Sequence, residues 1–352
     1  MTTGAPPRPL DCPPSSPRSA AGAEHAPPPP KTTLRHGQPS NSSIVAFRPK
    51  HARLQYDCAV PARLVSVIIP ARNTVELIDG QLEALAAQDY AGEFETIVSD
   101  NGSTDGLAEH LANHPLTDRL GLRCVDSAGG TGMAYARNVG IAAAQGDFLA
   151  FCDGDDRVHS DWLTELVRAS DDYDAVGGAV DTTTLNSAEV ASWRVLPQGH
   201  ERFGADEFLP YAIGCNFGAW RSSLEKIGGF DETFTGGADD VATSWRLQLA
   251  GLTLGHTPDA LVAYRFRDTY RGVWDQSNRY GRNSVLLHLA FREYGHTRRS
   301  MYAFGLSLLG LVLFNPLVPR FVARAPRGLW VSEAGFLSSR LRTAWKHRVF
   351  YV

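Results

Sequence analysis

Gly146-Asp147-Phe148-Leu149-Ala150-Phe151-Cys152-Asp153-Gly154-Asp155-Asp156 is the stretch whose reading decides the fold. Phe148 to Cys152 is apolar at every position and lies between a Gly-Asp turn and three carboxylates. A run this short suits a strand buried on both faces, as in a parallel sheet. Buried strands seldom end in three acids without a partner charge, because an unpaired carboxylate is costly to remove from water. Taken alone, Asp153-Gly154-Asp155-Asp156 is also compatible with a solvated acidic turn that caps the next helix.

Working outward, the same pattern repeats. Val65-Ser66-Val67-Ile68-Ile69, ended by Pro70, reads as a buried strand, and Ile78, Leu82 and Leu85 follow at helical spacing. Glu95-Thr96-Ile97-Val98-Ser99 is a second strand, ending at Asp100-Asn101-Gly102-Ser103-Thr104-Asp105-Gly106. Ser103 is placed to cap a helix carrying Leu107 and Leu111 on one face. Leu122 to Val125 is a third strand, and Gly129-Gly130-Thr131-Gly132 leads into an Ala-rich helix running to about Gln145. After the acidic stretch, Ser160 is read as the cap of a helix with Trp162, Leu163, Leu166 and Val167, and Asp174 to Val180 is a further strand. Strands alternating with helices predict an α/β fold: a mostly parallel sheet with helices on both faces and ligands beyond the carboxyl ends of the strands. Asn73, Asp100 and Asp153 to Asp156 fall there.

The second half is less regular. Gly214 to Arg221 reads as a strand entering a turn, Gly228 to Glu232 as a turn, and Asp239 to about Ala250 as a helix. On that helix Val241, Trp245 and Leu249 form a four-residue stripe expected to be buried, and its two leading acids suit the positive helix end. Residues 1–60 are rich in Pro, Ser and Ala, with four consecutive prolines at 27–30, and are expected to be a disordered tail.

Bulk properties narrow the class. The chain has 352 residues, 43% hydrophobic and 20% charged, as ordinary globular proteins do, and a net charge of −4 gives no reason to expect a nucleic-acid partner. Five scattered cysteines without C-x-x-C spacing argue against a disulfide framework or a zinc site. His256, His288 and the other histidines show no metal-ligand spacing. No long apolar run follows the first basic residue, so no secretory signal is expected and the cytoplasm is the expected compartment.

Several side chains carry candidate chemistry. Asp153 and Asp155, two apart at a strand end, can point the same way and offer hard oxygens to Mg2+ or Mn2+. A divalent cation there would stabilise a diphosphate leaving group. Asp100 can accept the ring N–H of a pyrimidine base or close an Asx-turn. Arg137 can meet a phosphate or form a surface ion pair. Asp239 and Asp240 are adjacent acids, and like charges side by side raise one pKa toward the range of a general base; capping the helix dipole is the alternative.

Taken together these motifs resemble the inverting glycosyltransferases of family 2, which have the GT-A fold, a Rossmann-like nucleotide-diphospho-sugar transferase architecture. The resemblance covers about Val65 to Gly295. Val67 to Asn73 is similar to the family's opening strand and nucleotide-contacting turn, which implies Pro70, Ala71 and Asn73 at the nucleotide. Val98 to Asp105 resembles the base-binding segment, implying Asp100 for the base. Ala136 to Gly140 resembles the nucleotide-contacting helix with Arg137, and Phe148 to Asp156 the metal-binding strand and its D-x-D segment, with Asp153 shared between ribose and metal. Gly228 to Phe234 followed by Asp239-Asp240 resembles the acceptor-side segment and catalytic acids. The family usually has Glu-Asp there, and the second acid, Asp240, is implied as base. Arg246 matches a position often basic. Arg72 stands where some members carry an aromatic residue.

The resemblance implies a metal-dependent enzyme of the hexosyltransferase type moving a sugar from a nucleotide-diphosphate donor to an acceptor hydroxyl on an envelope glycan, a lipid or a secondary metabolite. The rivals are a non-catalytic nucleotide-sugar-binding protein of the same fold and a nucleotidyltransferase. The transferase domain is expected over 61–297, with a hydrophobic and basic helical extension over 298–352. Residues 301–319 carry no charge and are flanked by Arg298, Arg299 and Arg320. Gly305, Gly310, Asn315, Pro316 and Pro319 weaken a spanning helix. Peripheral contact of 301–352 with the inner face of the cell membrane and a helix packed on the catalytic domain are both open.

Overall fold

A computed structural model describes residues 64–204, 208–297, 301–313, 315–317 and 325–351. The Pro-rich segment expected to be disordered lies outside these residues.

The acidic stretch does follow a central strand. β1 (Val65–Ala71), β2 (Phe94–Asp100), β3 (Leu122–Asp126) and β4 (Phe148–Phe151) pair in parallel in the order β3-β2-β1-β4. Helices α1 (Ile78–Ala86), α2 (Leu107–Ala112), α3 (Thr117–Leu120) and α4 (Met133–Ala143) fill the crossovers. Beyond β4 come the two-residue β5 (Arg157–Val158), α5 (Trp162–Ala169), β6 (Ala175–Asp181), α6 (Ala188–Ala191), β7 (Phe217–Trp220), α7 (Arg221–Ile227), α8 (Asp239–Leu249) and β8 (Leu254–Ala263). The full sheet has eight strands in the order β3-β2-β1-β4-β7-β6-β8-β5. It is mixed, because β7 runs antiparallel to both β4 and β6, and β5 antiparallel to β8.

Alternate residues of the strands divide the core in two. Val67, Ile69, Phe148 and Ala150 pack with Leu82, Leu85, Leu111, Trp162 and Leu166 on one face. Ile68, Leu149 and Phe151 pack with Ala134, Leu224, Phe230 and Leu247 on the other. Period-two alternation with apolar residues on both sides is why these strands read as unbroken hydrophobic runs.

Local details differ from the sequence reading. Ser103 does not cap α2. Its hydroxyl accepts the Asn73 N–H, and the N-cap is Gly106 in the left-handed region, with Asp105 accepting the Leu107 N–H. Ser160 does not cap α5, which starts after Asp161. On α8 the buried side chains are Asp239, Ala242, Thr243, Ser244, Trp245 and Leu247, whereas Leu249 is exposed. The four-apart stripe drifts around the helix, so Trp245 is buried and Leu249, one turn later, faces water.

Two long elements gave no clear signal. β8 has Pro258 and Asp259 in its middle, where the register against β6 shifts between Gly178 and Ala179, which breaks the alternation. α9 (Tyr270–Phe291) is polar over most of Asp275 to Ser284 and apolar after it, and its start is marked by the Thr269 hydroxyl accepting the Gly272 N–H at 3.1 Å. α11 (Arg327–Lys346) lies along α9. Ser277 and Ser332 share a hydrogen bond, Arg342 donates to Asn278, and Gly335 stands where an added Cβ would meet Ser277 Cβ at 3.1 Å. α10 (Met301–Leu313) buries no residue, and no described helix is long and apolar enough to cross a membrane.

Candidate active site

The turns after β1 and β2 are tied to each other. Asn73 has φ 54°, a left-handed conformation that Asn tolerates. Its N–H donates to Ser103 Oγ at 2.9 Å and its Oδ1 accepts the Thr104 N–H at 2.8 Å. Asp100 Oδ1 accepts the Ser103 N–H at 2.8 Å, so the Asx-turn is formed. Asn101 reaches on to the glycine loop, donating to the Ser127 and Gly130 carbonyls and accepting the Gly132 N–H. Pro70 and Ala71 lie buried in β1.

The second cluster is built differently. Arg137, on α4, is about 2% exposed and is no surface ion pair. Nη1 donates to Asp239 Oδ2 at the start of α8, and Nη2 lies 3.3 Å from Asp153 Oδ1 at the end of β4. The guanidinium also sits 5.4 Å from the Phe230 ring centroid. Gly214 makes this possible, since an added Cβ there would be 2.4 Å from Arg137 Nη2. Asp240 takes another environment: Oδ2 accepts the Gly214 N–H and Oδ1 its neighbour Val241's N–H, each at 2.8 Å. Burial and then the Asp239 charge raise its pKa, partly opposed by Arg137. Burial also lifts Asp153 to about 7, with Arg137 pulling it down and Asp155, Asp239 and Asp240 pushing it up.

Asp155 and Asp156 part ways. Asp155 Oδ2 receives Arg267 Nη1 at 3.1 Å, and its carbonyl receives Arg265 Nε. Asp156 Oδ1 accepts the Arg265 N–H at 2.8 Å, whereas Oδ2 is buried without a hydrogen bond of normal geometry. Ligand atoms of Asp153, Asp156 and Cys215 lie within 4.8 Å of one another, and Asp155 is outside that group. Burial holds the Cys215 thiol protonated, so it is a poor ligand for a hard cation. The two carboxylates, one with an orphaned oxygen, do fit such an ion; adding Asp155 requires its release from Arg267.

A cavity of about 390 Å³ opens beside Arg137, Asp153, Asp239 and Asp240. Arg137, Asp153, Asp239 and Asp240 line one part, and Arg194, Tyr280 and Arg340 are among the residues lining the rest. Pro70, Ala71, Asn73 and Asp100 are not in its wall, and neither are the metal-ligand candidate Asp155 and its neighbour Asp156, so the structure gathers Arg137, Asp153, Asp239 and Asp240 and leaves the other candidates outside the cavity. Sequence reading missed Arg194, Arg267 and Tyr280. None of the three belongs to a stretch with clear apolar periodicity or a motif, and only the fold brings them to the cavity.

One histidine group also escaped the sequence reading. His110 and His114 are four apart and meet Asp79 Oδ1 at 2.5 and 3.4 Å. His114 Nδ1 accepts the Leu116 N–H at 3.3 Å, which leaves Nε2 as the protonated nitrogen facing Asp79. The cluster reads as a hydrogen-bonded trio tying α1 to α2.

Known proteins agree with this architecture. The families described as "Glycosyl transferase family 2" and "Glycosyl transferase family group 2" match residues 66–228 and 148–337. Glycosyltransferase AglE of Haloferax volcanii is 30% identical over 286 residues, spanning 80% of this chain and 91% of that protein. The chain belongs to glycosyltransferase family 2. Pre-mycofactocin glycosyltransferase of Mycobacterium tuberculosis is similar to this glycosyltransferase at 28% identity, with 80% of the chain and 62% of the relative covered. Among solved structures, mannosyltransferase PcManGT from Pyrobaculum calidifontis, in complex with GDP-Man and Mn2+, superposes with a TM-score of 0.57 at 21% identity over 82% of this chain and 88% of that one. That likeness shows the GT-A fold. The nucleotidyltransferase alternative is set aside, and the protein is a glycosyltransferase.

Proposed function

We propose that this enzyme moves a sugar from a nucleoside-diphosphate donor to an acceptor hydroxyl with inversion at the anomeric carbon, using Asp240 as general base. The observation that carries the reading is Asp240 itself. It is a carboxylate with a raised pKa, fixed by two backbone N–H groups in the wall of the cavity that also holds Asp153 and Arg137. Asp240 takes the acceptor O–H proton as that oxygen bonds to the anomeric carbon. The bond from that carbon to the diphosphate oxygen breaks on the opposite face, and the nucleoside diphosphate leaves with its electron pair. Asp100 lies at the turn read as facing the base. Asp153 and Asp156, with Asp155 if freed from Arg267, would hold Mg2+ or Mn2+, which would supply charge stabilisation to the leaving diphosphate. The PcManGT complex with GDP-Man and Mn2+ supports donor class and cation alike. Asp240→Asn should lower turnover by about 10²–10⁴-fold while leaving nucleoside-diphosphate binding intact. Retained turnover would remove Asp240 from the base role, and binding without turnover on any donor in the wild type would favour the non-catalytic alternative.

The C-terminal segment supports a second, separate reading: contact with an anionic lipid surface at the inner face of the cell membrane. On α10, Tyr302 and Val312 are 77% and 68% exposed, and Leu317 beyond it is 90% exposed. Soluble surfaces rarely leave such a run uncovered. Arg298, Arg299, Arg320, Arg324 and Arg327 flank it in sequence and would complement anionic headgroups. Flotation with phosphatidylglycerol vesicles should carry the wild type and not Val312→Glu. Equal flotation of both, or of neither, would end this reading.

A further inference from the structure

The cations that line the active-site cavity differ in how they are compensated. Arg137 is held by Asp239 and Asp153, and Arg267 by Asp155. Arg194, in the connection between α6 and β7, has no carboxylate within ion-pair reach among the described residues. Its guanidinium lies over the Tyr280 ring, 5.0 Å from the centroid, and the groups facing it are the tyrosines Tyr280, Tyr264 and Tyr211. Nη1 is buried and has no hydrogen-bond partner. Arg194, Arg267, Tyr264, Tyr211 and Tyr280 line the same cavity as Asp153 and Asp240.

A guanidinium cannot shed its charge by titration, and its planar fork matches phosphate oxygens. Neutral phenols and a ring face soften its desolvation without cancelling the charge. A buried charge left without a counter-charge is costly, and an anion from outside would relieve that cost. The alternative is an ordered water, since a space of about 30 Å³ lined by Arg194, Arg267 and Gln276 is large enough for one.

We propose that Arg194 is a substrate-binding residue whose Nη1 receives an anionic phosphate oxygen inside the active-site cavity. The oxygen belongs either to the donor's diphosphate or to a phosphate carried by the acceptor. The assignment rests on the reading of the cavity as the transfer site.

The probes are inorganic pyrophosphate, UDP and GDP for the donor arm, and inorganic phosphate added over saturating nucleoside diphosphate for the acceptor arm. Calorimetry should find at least a tenfold weaker Kd in one arm for Arg194→Gln, with Arg194→Lys in between. Uridine and guanosine, which carry no phosphate, should show no change between wild type and variant. A loss in the first arm assigns the anion to the donor, and a loss confined to the second assigns it to the acceptor. Because a loop variant can misfold, the wild type is also treated with phenylglyoxal. Pyrophosphate, or phosphate over nucleoside diphosphate, should slow modification of Arg194 as read by mass spectrometry. Unchanged Kd values in both arms, or modification indifferent to both anions, would overturn the proposal and leave water as the partner. If the wild type binds pyrophosphate through Arg194 but neither UDP nor GDP, the donor reading fails and this one stands.

Discussion

Two polar regions sit side by side at the carboxyl ends of the strands, and they are satisfied in opposite ways. In the turns after β1 and β2, the side chains of Asn73, Asp100 and Asn101 and the Ser103 hydroxyl close on neighbouring backbone N–H groups or carbonyls. Around Arg137, the three carboxylates Asp153, Asp239 and Asp240 share one guanidinium, and nearby Asp156 keeps an oxygen without a hydrogen bond. The first region is a finished scaffold. The second stores a charge imbalance that ligands can relieve, and perturbed groups of this kind mark functional sites.

The sharpest way to break the contrast is to remove the cation at its centre. Arg137→Met leaves Asp239 buried and unpaired and Asp153 without its partner. Stability should fall by about 3–5 kcal/mol, read as a lower urea midpoint at unchanged slope. A loss below about 1 kcal/mol would mean that the pair behaves as an exposed one. The variant should also lose nucleoside-diphosphate binding.

A milder probe is pH. Asp153 and Asp240 have folded pKa values above the unfolded value, with Asp153 near 7. The folded state therefore holds protons that the unfolded chain has released. Their contribution is fully present below about pH 4 and is lost as pH rises through each raised folded value, which for Asp153 is about 7. Once acid unfolding from other carboxylates is past, Tm should decline from about pH 5 to 7.5. Mn2+ should raise Tm more at pH 7.5 than at pH 5, because it competes with those protons. A Tm that climbs over this window, or a Mn2+ effect independent of pH, would contradict the charge-imbalance account. Turnover should rise with pH through the raised Asp240 value, since the base must be ionised to act.

The finished turns should respond less. Asp100→Asn preserves an oxygen for the Ser103 N–H and should leave stability within about 0.5 kcal/mol. If Asp100 also takes a base N–H, removing its charge should weaken nucleoside-diphosphate binding by about tenfold, the order expected for a hydrogen bond to a charged group. Unchanged affinity would confine Asp100 to its Asx-turn.

The contrast also explains what was legible in the chain. β1 and β4 announce themselves because both faces of the sheet are apolar there, so each is a short hydrophobic run, whereas β2 and the partly exposed edge strand β3 carry polar residues and are legible from their β-branched and apolar cores. Asp153, Asp239 and Asp240 could be singled out because each sits at the edge of such a run or of a helix. The partnerships could not. Nothing in the order of residues says that Asp239 meets Arg137, 102 positions away, or that Asp155 meets Arg267 instead of standing with Asp153. Those pairings depend on β7 reversing between β4 and β6 and on α9 closing the cavity, and both elements lack a periodic signature. The misread cap at Ser103 has a visible cause. Ser103 and Ser160 are good capping residues by type, but Ser103 was recruited by Asn73 across the strand ends, and tertiary partners outrank local propensity.

The smallest predicted effect concerns backbone strain next to the acid pair. Ala238, the residue before α8, has φ 67°, a conformation that costs an alanine about 1–2 kcal/mol. It immediately precedes Asp239 and Asp240, so it sets the direction from which both carboxylates enter the cavity. Ala238→Gly relieves the strain, but glycine also loses more chain entropy on folding, about 0.4–1 kcal/mol, and the partly buried methyl is lost. These terms nearly cancel, and stability should stay within about 0.5 kcal/mol of the wild type. Activity should not cancel in the same way. A glycine lets the first turn of α8 rock, so Asp240 spends less time on the Gly214 N–H, and kcat should drop several-fold with KM for the donor little changed. If kcat is unaltered, the left-handed alanine is a consequence of the turn geometry alone, and the rigidity of the acid pair comes from Arg137 and Gly214.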